Sequence, residues 1–124
     1  MTAPSPKLVY VAGPYRAPTP WEVECNIVAA RKLGAKVAQV GAYPVIPHSN
    51  TAHFDGLATD ALWLGGTLEL LRRCDAVVFT GDYERSSGAR DERVEAARLG
   101  LPRFDDVPGR LVEVERWVRG ELAP

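Results

Sequence analysis

The sequence has little of what marks several large classes of protein. Its 124 residues include only two cysteines, Cys25 and Cys74, which lie in apolar contexts without metal-ligand spacing. No apolar run approaches the roughly 20 residues of a membrane span, and the opening "MTAPSPK" lacks the apolar core of a signal peptide. The net charge of −1 lacks the basic excess typical of nucleic-acid binding. We therefore expect a reduced, cytoplasmic protein with no membrane partner and no nucleic-acid polymer as partner.

Several well-known functional motifs are also absent. The chain contains no G-x-x-x-x-G-K-[ST] phosphate loop, no G-x-G-x-x-G dinucleotide fingerprint and no G-x-S-x-G nucleophile elbow. His48 and His53 are five residues apart, but no cysteine lies nearby and the H-E-x-x-H motif is missing. The sequence therefore predicts no metal site and no cofactor.

The composition that remains is that of an ordinary globular domain. Hydrophobic residues make up 46% and charged residues 25% of the chain, which is typical of such proteins. A length of 124 residues suits one hydrophobic core. We predict a single domain over residues 1–124, in which residues 1–6, with two prolines, form a flexible tail.

Short apolar segments alternate with longer amphipathic ones along the whole chain. Strands are predicted at 7–13, 42–47, 75–81 and, more weakly, 101–106. Helices are predicted at 20–40, 59–73, 88–99 and 107–122. Alternating strands and helices predict an α/β fold in three layers, with a mainly parallel sheet of four or five strands between helices.

Two of the predicted helices show clear local signals. Thr19, Pro20 and Glu22 form a capping-box arrangement at the start of the first helix, and Gly41 is the expected stop. The apolar positions of this helix recur at helical spacing: Ile27, Ala30, Leu33, Val37 and Val40. The last helix has its own apolar face: Leu111, Val114, Trp117, Val118 and Leu122.

Three polar loops follow predicted strands, namely "GPYRAP", "PHSNTAHFDG" and "GDYERSSGA". Ligands of parallel sheets bind outside the carboxyl ends of the strands, so these loops are expected to converge on one crevice. Ser86, Ser87 and Gly88 offer hydroxyls, backbone N–H groups and close approach, which together make a generic anion site. Arg16 can add a fork of donors for a phosphate. Arg90 is a second candidate for this role, and it is equally well explained as a solvated surface residue.

Other polar residues near the crevice have more than one interpretation. Asp91 and Glu92 read as first-turn acids of the third helix, where a carboxylate offsets the helix dipole. Glu92 alone is thus either a helix-start acid or a carboxylate aimed at a substrate. Tyr15 either stacks on a base or packs against the second loop. His48 reads as a hydrogen-bonding loop residue near the substrate.

In order and spacing, "VYVAGPYR", "CDAVVF" and "SSGARDERVEAARLGLP" resemble the nucleoside 2-deoxyribosyltransferase-like superfamily. The resemblance covers about residues 7–105 and is closest to small uncharacterised bacterial and phage members. It extends to the related 2'-deoxynucleoside 5'-phosphate N-hydrolases. It implies a flavodoxin-like fold, a homodimer or higher oligomer, and a helix-borne glutamate that attacks the anomeric carbon of a deoxyribose.

The resemblance also implies roles for particular residues. The family's glutamate lies four residues after the glycine of the Ser-Gly motif, which places the nucleophile at Glu92. Ser86, two residues before Gly88, matches the phosphate-binding hydrolases better than the transferases. Gly13 and Arg16 occupy the positions that contact a 5'-phosphate in those hydrolases. Tyr15 and His48 would line the base or sugar pocket, beside a phosphate held near Ser86, Ser87 and Gly88.

One position departs from the family. The characterised enzymes have an aspartate eight residues before the "D" of "CDAVV", where this chain has Thr67. Glu69 and Asp60 are the acidic residues nearest in sequence, and neither is in the family's position. The leading hypothesis is N-glycosidic hydrolysis of a (deoxy)nucleoside 5'-monophosphate. A non-catalytic nucleotide-binding module and a base-exchange deoxyribosyltransferase remain as alternatives.

Overall fold

A computed structural model describes residues 5–108 and 111–121 of the chain. Its described residues form one sheet of four strands in the order β2-β1-β3-β4, and every neighbouring pair is parallel. The strands are β1 Leu8–Ala12, β2 Tyr43–Val45, β3 Ala76–Phe79 and β4 Arg103–Asp105. The predicted parallel sheet is therefore confirmed.

Helices connect the strands and cover both faces of the sheet. They are α1 Pro20–Gln39, α2 Pro47–Asn50, α3 Asp60–Arg72, α4 Ser87–Leu99 and α5 Leu111–Val118, with a 3₁₀ turn at Tyr83–Arg85. One core cluster joins the sheet to α1 and α5, and the other joins it to α3 and α4. The result is the three-layer, flavodoxin-like α/β fold that was predicted.

The first strand shows how both layers are specified. Val9 and Val11 point into the α1–α5 core, whereas Tyr10 and Ala12 point into the α3–α4 core. All four side chains are fully buried. Side chains alternate between the faces of a strand, so a continuous apolar run requires a helix layer on each side.

The signals predicted for α1 are confirmed. Thr19 Oγ1 accepts a hydrogen bond from the Glu22 backbone N–H at 3.2 Å, which caps the helix. The helix ends at Gln39, just before Gly41 with its positive φ of 100°. The predicted inward positions Ile27, Ala30, Leu33 and Val37 are all buried. The last three belong to the core cluster against the sheet, and the half-buried Val40 packs on that cluster.

Several predicted boundaries are wrong. The strand predicted at 42–47 spans only Tyr43–Val45, because Pro47 starts the short helix α2, in which His48 lies. The last helix is shorter than predicted, and its expected inward residue Leu122 lies outside the described residues. The predicted tail lies mostly outside them too, since the description starts at residue 5.

No helix in the described ranges is both long and apolar enough to cross a membrane.

The order of the strands changes direction between β1 and β3. The chain passes from β1 through α1 to β2 on one side, and then returns to place β3 on the other side of β1. Ligands of parallel sheets bind at such a change of direction, beside the loops that follow the two central strands. Here these are the loop after β1, which begins at Gly13, and the loop after β3, which begins at Thr80.

Candidate functional site

Glu92 lies in the second turn of α4, not in the first. Ser86 is the N-cap, and its Oγ accepts a hydrogen bond from the Ala89 N–H at 3.2 Å. Because this cap draws Ser87 and Gly88 into the helix, the first turn of α4 contains no acidic residue. Glu92 instead shares the inward face of α4 with Ala89 and Ala96. The interpretation of Glu92 as a helix-start acid is therefore wrong.

The Glu92 carboxyl is buried and resists ionisation. Only 9% of the residue is exposed, and burial raises the pKa of Glu92 to about 7. The Tyr10 hydroxyl lowers this pKa, whereas the negative charge of Asp91 raises it. The sequence had suggested a carboxylate held ionised by the helix dipole. The structure shows the opposite balance, because the loss of hydration outweighs the favourable contacts.

Tyr10 is buried beside Glu92, and the half-buried Thr67 lies next to Tyr10. Burial, and after it the Glu92 carboxylate, raises the pKa of the Tyr10 hydroxyl well above its usual value, while a contact with Thr67 lowers it. The Tyr10 hydroxyl is thus near both groups. However, neither Tyr10 Oη nor Glu92 Oε2 has a partner of good hydrogen-bond geometry among the described residues. Thr67 lies beside Tyr10, and its Oγ1 donates to the Leu64 carbonyl at 3.1 Å.

The loop after β1 is fixed at Tyr15. Its hydroxyl donates to Asp55 Oδ1 at 2.7 Å and accepts from the His53 N–H at 2.9 Å. Its carbonyl accepts from Asn26 Nδ2 at 3.0 Å. These contacts confirm that Tyr15 packs against the second loop, while stacking on a base stays a prediction.

His48 fixes the same loop from the other side. Its Nε2 lies 3.0 Å from the Gly13 carbonyl and 3.1 Å from the Pro14 carbonyl. Both partners are acceptors, so we assign the ring proton to Nε2. Burial lowers the pKa of His48, which favours this neutral form. The Nδ1 atom is buried without a partner among the described residues, and the ring centroid lies 6.1 Å from that of Tyr15.

Arg16 is exposed but already has an acidic partner. Its Nη2 lies 2.6 Å from Asp60 Oδ1, and its Nη1 lies 3.4 Å from Asp60 Oδ2. The two side chains are 67% and 79% exposed. The fork of donors predicted to hold a phosphate thus holds a carboxylate at the start of α3.

The loops after β1 and β3 touch at Gly13. A Cβ added to Gly13 would lie 2.6 Å from both Cγ2 and Oγ1 of Thr80. Thr80 cannot easily turn away, because it is branched at Cβ and its hydroxyl donates to Asp82 Oδ1 at 2.8 Å. Glycine is therefore required at position 13 for close packing of the two loops.

Gly13→Ala is expected to lower the free energy of unfolding by about 1–3 kcal/mol, the usual cost of overpacking. Thr80→Ala removes the two closest atoms and leaves the Thr80 Cβ at 3.2 Å. In that background the same glycine substitution should cost less than half as much. Urea denaturation of the four proteins measures both costs. Equal costs in the two backgrounds would contradict this packing.

The described residues offer no cluster suited to a metal ion. No group of three or more His, Cys, Asp or Glu side chains with that geometry occurs among them. His53 Nε2 instead contacts Glu24 Oε2 at 2.7 Å. Two shallow concavities, of about 460 and 440 Å³, are lined by Lys36 and Asp106 and by Tyr83 and Arg93 respectively, and neither is lined by Glu92.

The structure thus divides the predicted site residues into two groups. One group is joined by contacts between the loop after β1 and α2: Gly13, Tyr15 and His48. Arg16 lies in the same loop but contacts Asp60 at the start of α3. The other group lies on α4: Ser86, Ser87, Gly88 and Glu92. The sequence interpretation missed Tyr10, although a tyrosine in an otherwise apolar buried strand signals a hydroxyl that needs a partner. It also missed the pairing of Asp60 with Arg16.

Comparison with known proteins shows the fold more clearly than the function. Among solved structures, the chain is similar to a 2-deoxyribosyltransferase from the psychrotolerant bacterium Bacillus psychrosaccharolyticus, with a TM-score of 0.58 and 18% sequence identity. The alignment covers 79% of this chain and 70% of the other. At this identity the match establishes a shared fold. No protein of curated function matches the sequence.

A family model gives the direct sequence match. It is described as "Domain of unknown function (DUF7768)" and aligns with residues 7–104, which include all four strands of the sheet except the last residue of β4. The chain therefore belongs to the DUF7768 family.

Proposed function

We propose that this protein hydrolyses the N-glycosidic bond of a (deoxy)nucleoside 5'-monophosphate, with Glu92 as the nucleophile. The observation that carries the proposal is the buried Glu92 carboxyl, whose Oε2 lacks a hydrogen-bond partner and which lies near Tyr10. A buried acid with a strongly perturbed pKa is uncommon outside functional sites. The fold shared with a 2-deoxyribosyltransferase supports glycosyl chemistry as the reaction class.

In the proposed reaction the ionised form of Glu92 attacks the anomeric carbon of the sugar. The carbon–nitrogen bond breaks, and its electron pair leaves with the base. Water then cleaves the sugar–glutamate ester and restores the carboxylate, as in retaining glycosidases. A pKa of about 7 leaves a substantial part of Glu92 ionised at neutral pH, so the nucleophile is available.

Thr67 limits which bases can leave. A threonine hydroxyl is not an acid at neutral pH, so Thr67 cannot protonate the departing base in the way a carboxylic acid would. Tyr10 has its pKa raised by burial and by Glu92, which makes it a still weaker acid than free tyrosine. The proposed substrates are therefore nucleotides whose base leaves readily or takes its proton from solvent.

Residues from the loop after β1 and from the start of α4 together bind the phosphate in this proposal. In the proposal, Arg16, Ser86 and the N–H groups of Ser87 and Gly88 hold the phosphate. The exposed start of α4 suits this role, since the nearest atom to a Cβ at Gly88 is Ser86 Oγ at 3.8 Å. Gly13 lies in the same loop as Arg16 and is assigned to the phosphate as well, whereas Tyr15 lines the sugar or base. His48 supports this loop through its hydrogen bonds to the Gly13 and Pro14 carbonyls.

The test is incubation of the protein with a panel of deoxy- and ribonucleoside 5'-monophosphates and the matching nucleosides. Each substrate is incubated with and without an excess of a second free base, and the products are separated by chromatography. We expect free base and sugar phosphate from at least one monophosphate, with slower release from the matching nucleoside. A new nucleoside carrying the added base would instead establish base exchange. No product from any substrate would overturn both enzyme hypotheses.

Non-catalytic nucleotide binding is the second candidate, and Thr67 is the residue that favours it. This position places a hydroxyl beside Tyr10, where the resembling enzymes have a carboxylate. Calorimetric titration of the same panel separates the two candidates. A monophosphate that binds and is recovered intact would support the binding module.

A further inference from the structure

The ion pair between Arg16 and Asp60 bears on how the site selects its substrate. The two guanidinium nitrogens face the two carboxylate oxygens at 2.6 and 3.4 Å, which is the forked geometry that arginine also adopts with a phosphate. A phosphate and the Asp60 carboxylate cannot both occupy this side of the guanidinium. A ligand that uses the Arg16 fork must therefore compete with Asp60.

We propose that Asp60 occupies the phosphate position on Arg16 in the free protein and is a specificity-determining residue that sets the affinity for the 5'-phosphate. This inference rests on the proposed nucleotide substrate. It goes further, because it predicts that Asp60 leaves Arg16 when the nucleotide binds.

The ion pair between Arg16 and Asp60 can separate with little loss of free energy. Both side chains are more than half exposed, and ion pairs of this kind contribute little to stability because water and salt screen them. A phosphate near neutral pH carries more negative charge than one carboxylate, so it interacts more strongly with the same fork. A phosphate can therefore displace Asp60, whereas an uncharged sugar hydroxyl gains little by doing so.

The surrounding structure allows Asp60 to be replaced without disturbing either element. The Arg16 backbone follows Tyr15, which is held by its own bonds to Asp55, to the His53 N–H and to Asn26. The start of α3 is capped by Thr59, whose side chain accepts from the Leu62 N–H at 3.2 Å. Asp60 is thus not needed to cap the helix or to hold the loop.

Asp60→Asn is expected to tighten the binding of inorganic phosphate and of a nucleoside 5'-monophosphate about five- to tenfold, because it removes one competing charge beside the fork. Binding of the matching nucleoside should be unchanged. Asp55→Asn is the control, since it removes the same charge from a nearby carboxylate but keeps an Oδ1 atom that accepts from the Tyr15 hydroxyl, and it does not touch the Arg16 fork. It should change phosphate binding less than twofold. In an Arg16→Gln background the gain from Asp60→Asn should vanish.

Isothermal titration calorimetry with inorganic phosphate, the monophosphate and the nucleoside gives each affinity. Asp60→Ser, which suits a helix start, repeats the test if the asparagine variant folds poorly. Equal or weaker phosphate binding in folded Asp60 variants would overturn the inference, as would phosphate binding by none of the proteins. Base release by the wild type with no change in phosphate affinity leaves the proposed function standing and removes only the role of Asp60. Tighter phosphate binding by the Asp60 variants without any base release would support the role of Asp60 and remove the proposed hydrolysis.

Discussion

Glu92→Gln is expected to lower the rate of base release at least about 10²-fold, because the amide cannot form the sugar ester. Glutamine has nearly the same shape as glutamate, so it fills the same buried space beside Tyr10. Nucleotide affinity should change little, because the phosphate is assigned to other residues. The measurement is the initial rate of base release under saturating substrate.

Asp91→Asn is the matched control for this experiment. Asp91 is the adjacent acid on α4 but is exposed, whereas Glu92 is buried. The Asp91 charge raises the Glu92 pKa less than burial does, so its replacement should leave base release within about threefold of wild type. Base release that survives in Glu92→Gln, or that is lost in Asp91→Asn alone, would refute the assignment of the nucleophile. The wild-type kcat/KM should also rise between about pH 5 and 8 as Glu92 ionises.

Glu92→Gln is also expected to stabilise the folded protein in alkaline solution. Folding raises the Glu92 pKa from its usual 4.5 to about 7, so the folded protein holds the proton more tightly than the unfolded chain. Stability from this group is fully present below about pH 4.5 and is lost as the pH rises through about 7. The loss amounts to about 3 kcal/mol at pH 8, at 1.36 kcal/mol per pKa unit. Glu92→Gln should remove most of that penalty.

Urea denaturation at about pH 5 and pH 8 tests this expectation. The gain in the free energy of unfolding from Glu92→Gln should be about 2–3 kcal/mol larger at pH 8 than at pH 5, where part of the penalty is already present. Glu84→Gln makes the same chemical change at an exposed position and should show a difference below about 0.5 kcal/mol. A wild-type-like pH dependence in Glu92→Gln would show that Glu92 titrates normally in the folded protein. Higher stability with lost activity would be the combination expected of a functional residue.

Local signals predicted the fold well because each lies within one element. The cap at Thr19 and the apolar spacing of α1 depend only on residues a few positions apart, and both are confirmed. The predicted start of α4 was wrong for an equally local reason. Ser86, Ser87 and Gly88 all suit a helix start, and only the extended backbone at Ser86, with a φ of −112°, identifies it as the cap.

The site itself depends on residues far apart in the chain, and there the sequence interpretation was incomplete. Tyr10, Thr67 and Glu92 come from a strand and two helices, and their proximity follows from how α3 and α4 pack on the sheet. Arg16 and Asp60 are likewise 44 residues apart. No local pattern carries these pairings, nor the loss of hydration that shifts the Glu92 pKa. The roles of the site residues, the single domain, the oligomer and the cytoplasmic location stay predictions.

The two edges of the sheet have a consequence for how copies of this protein can meet. β2 and β4 are only three residues long, and β2 contains Pro44, which has no N–H to offer a further strand. Short edges and an edge proline oppose the addition of strands from another chain, which is the usual route to fibrous aggregates. Concentrated solutions of the folded protein should therefore resist growth of β-rich assemblies. An ordered complex between copies would have to form through helices and loops instead.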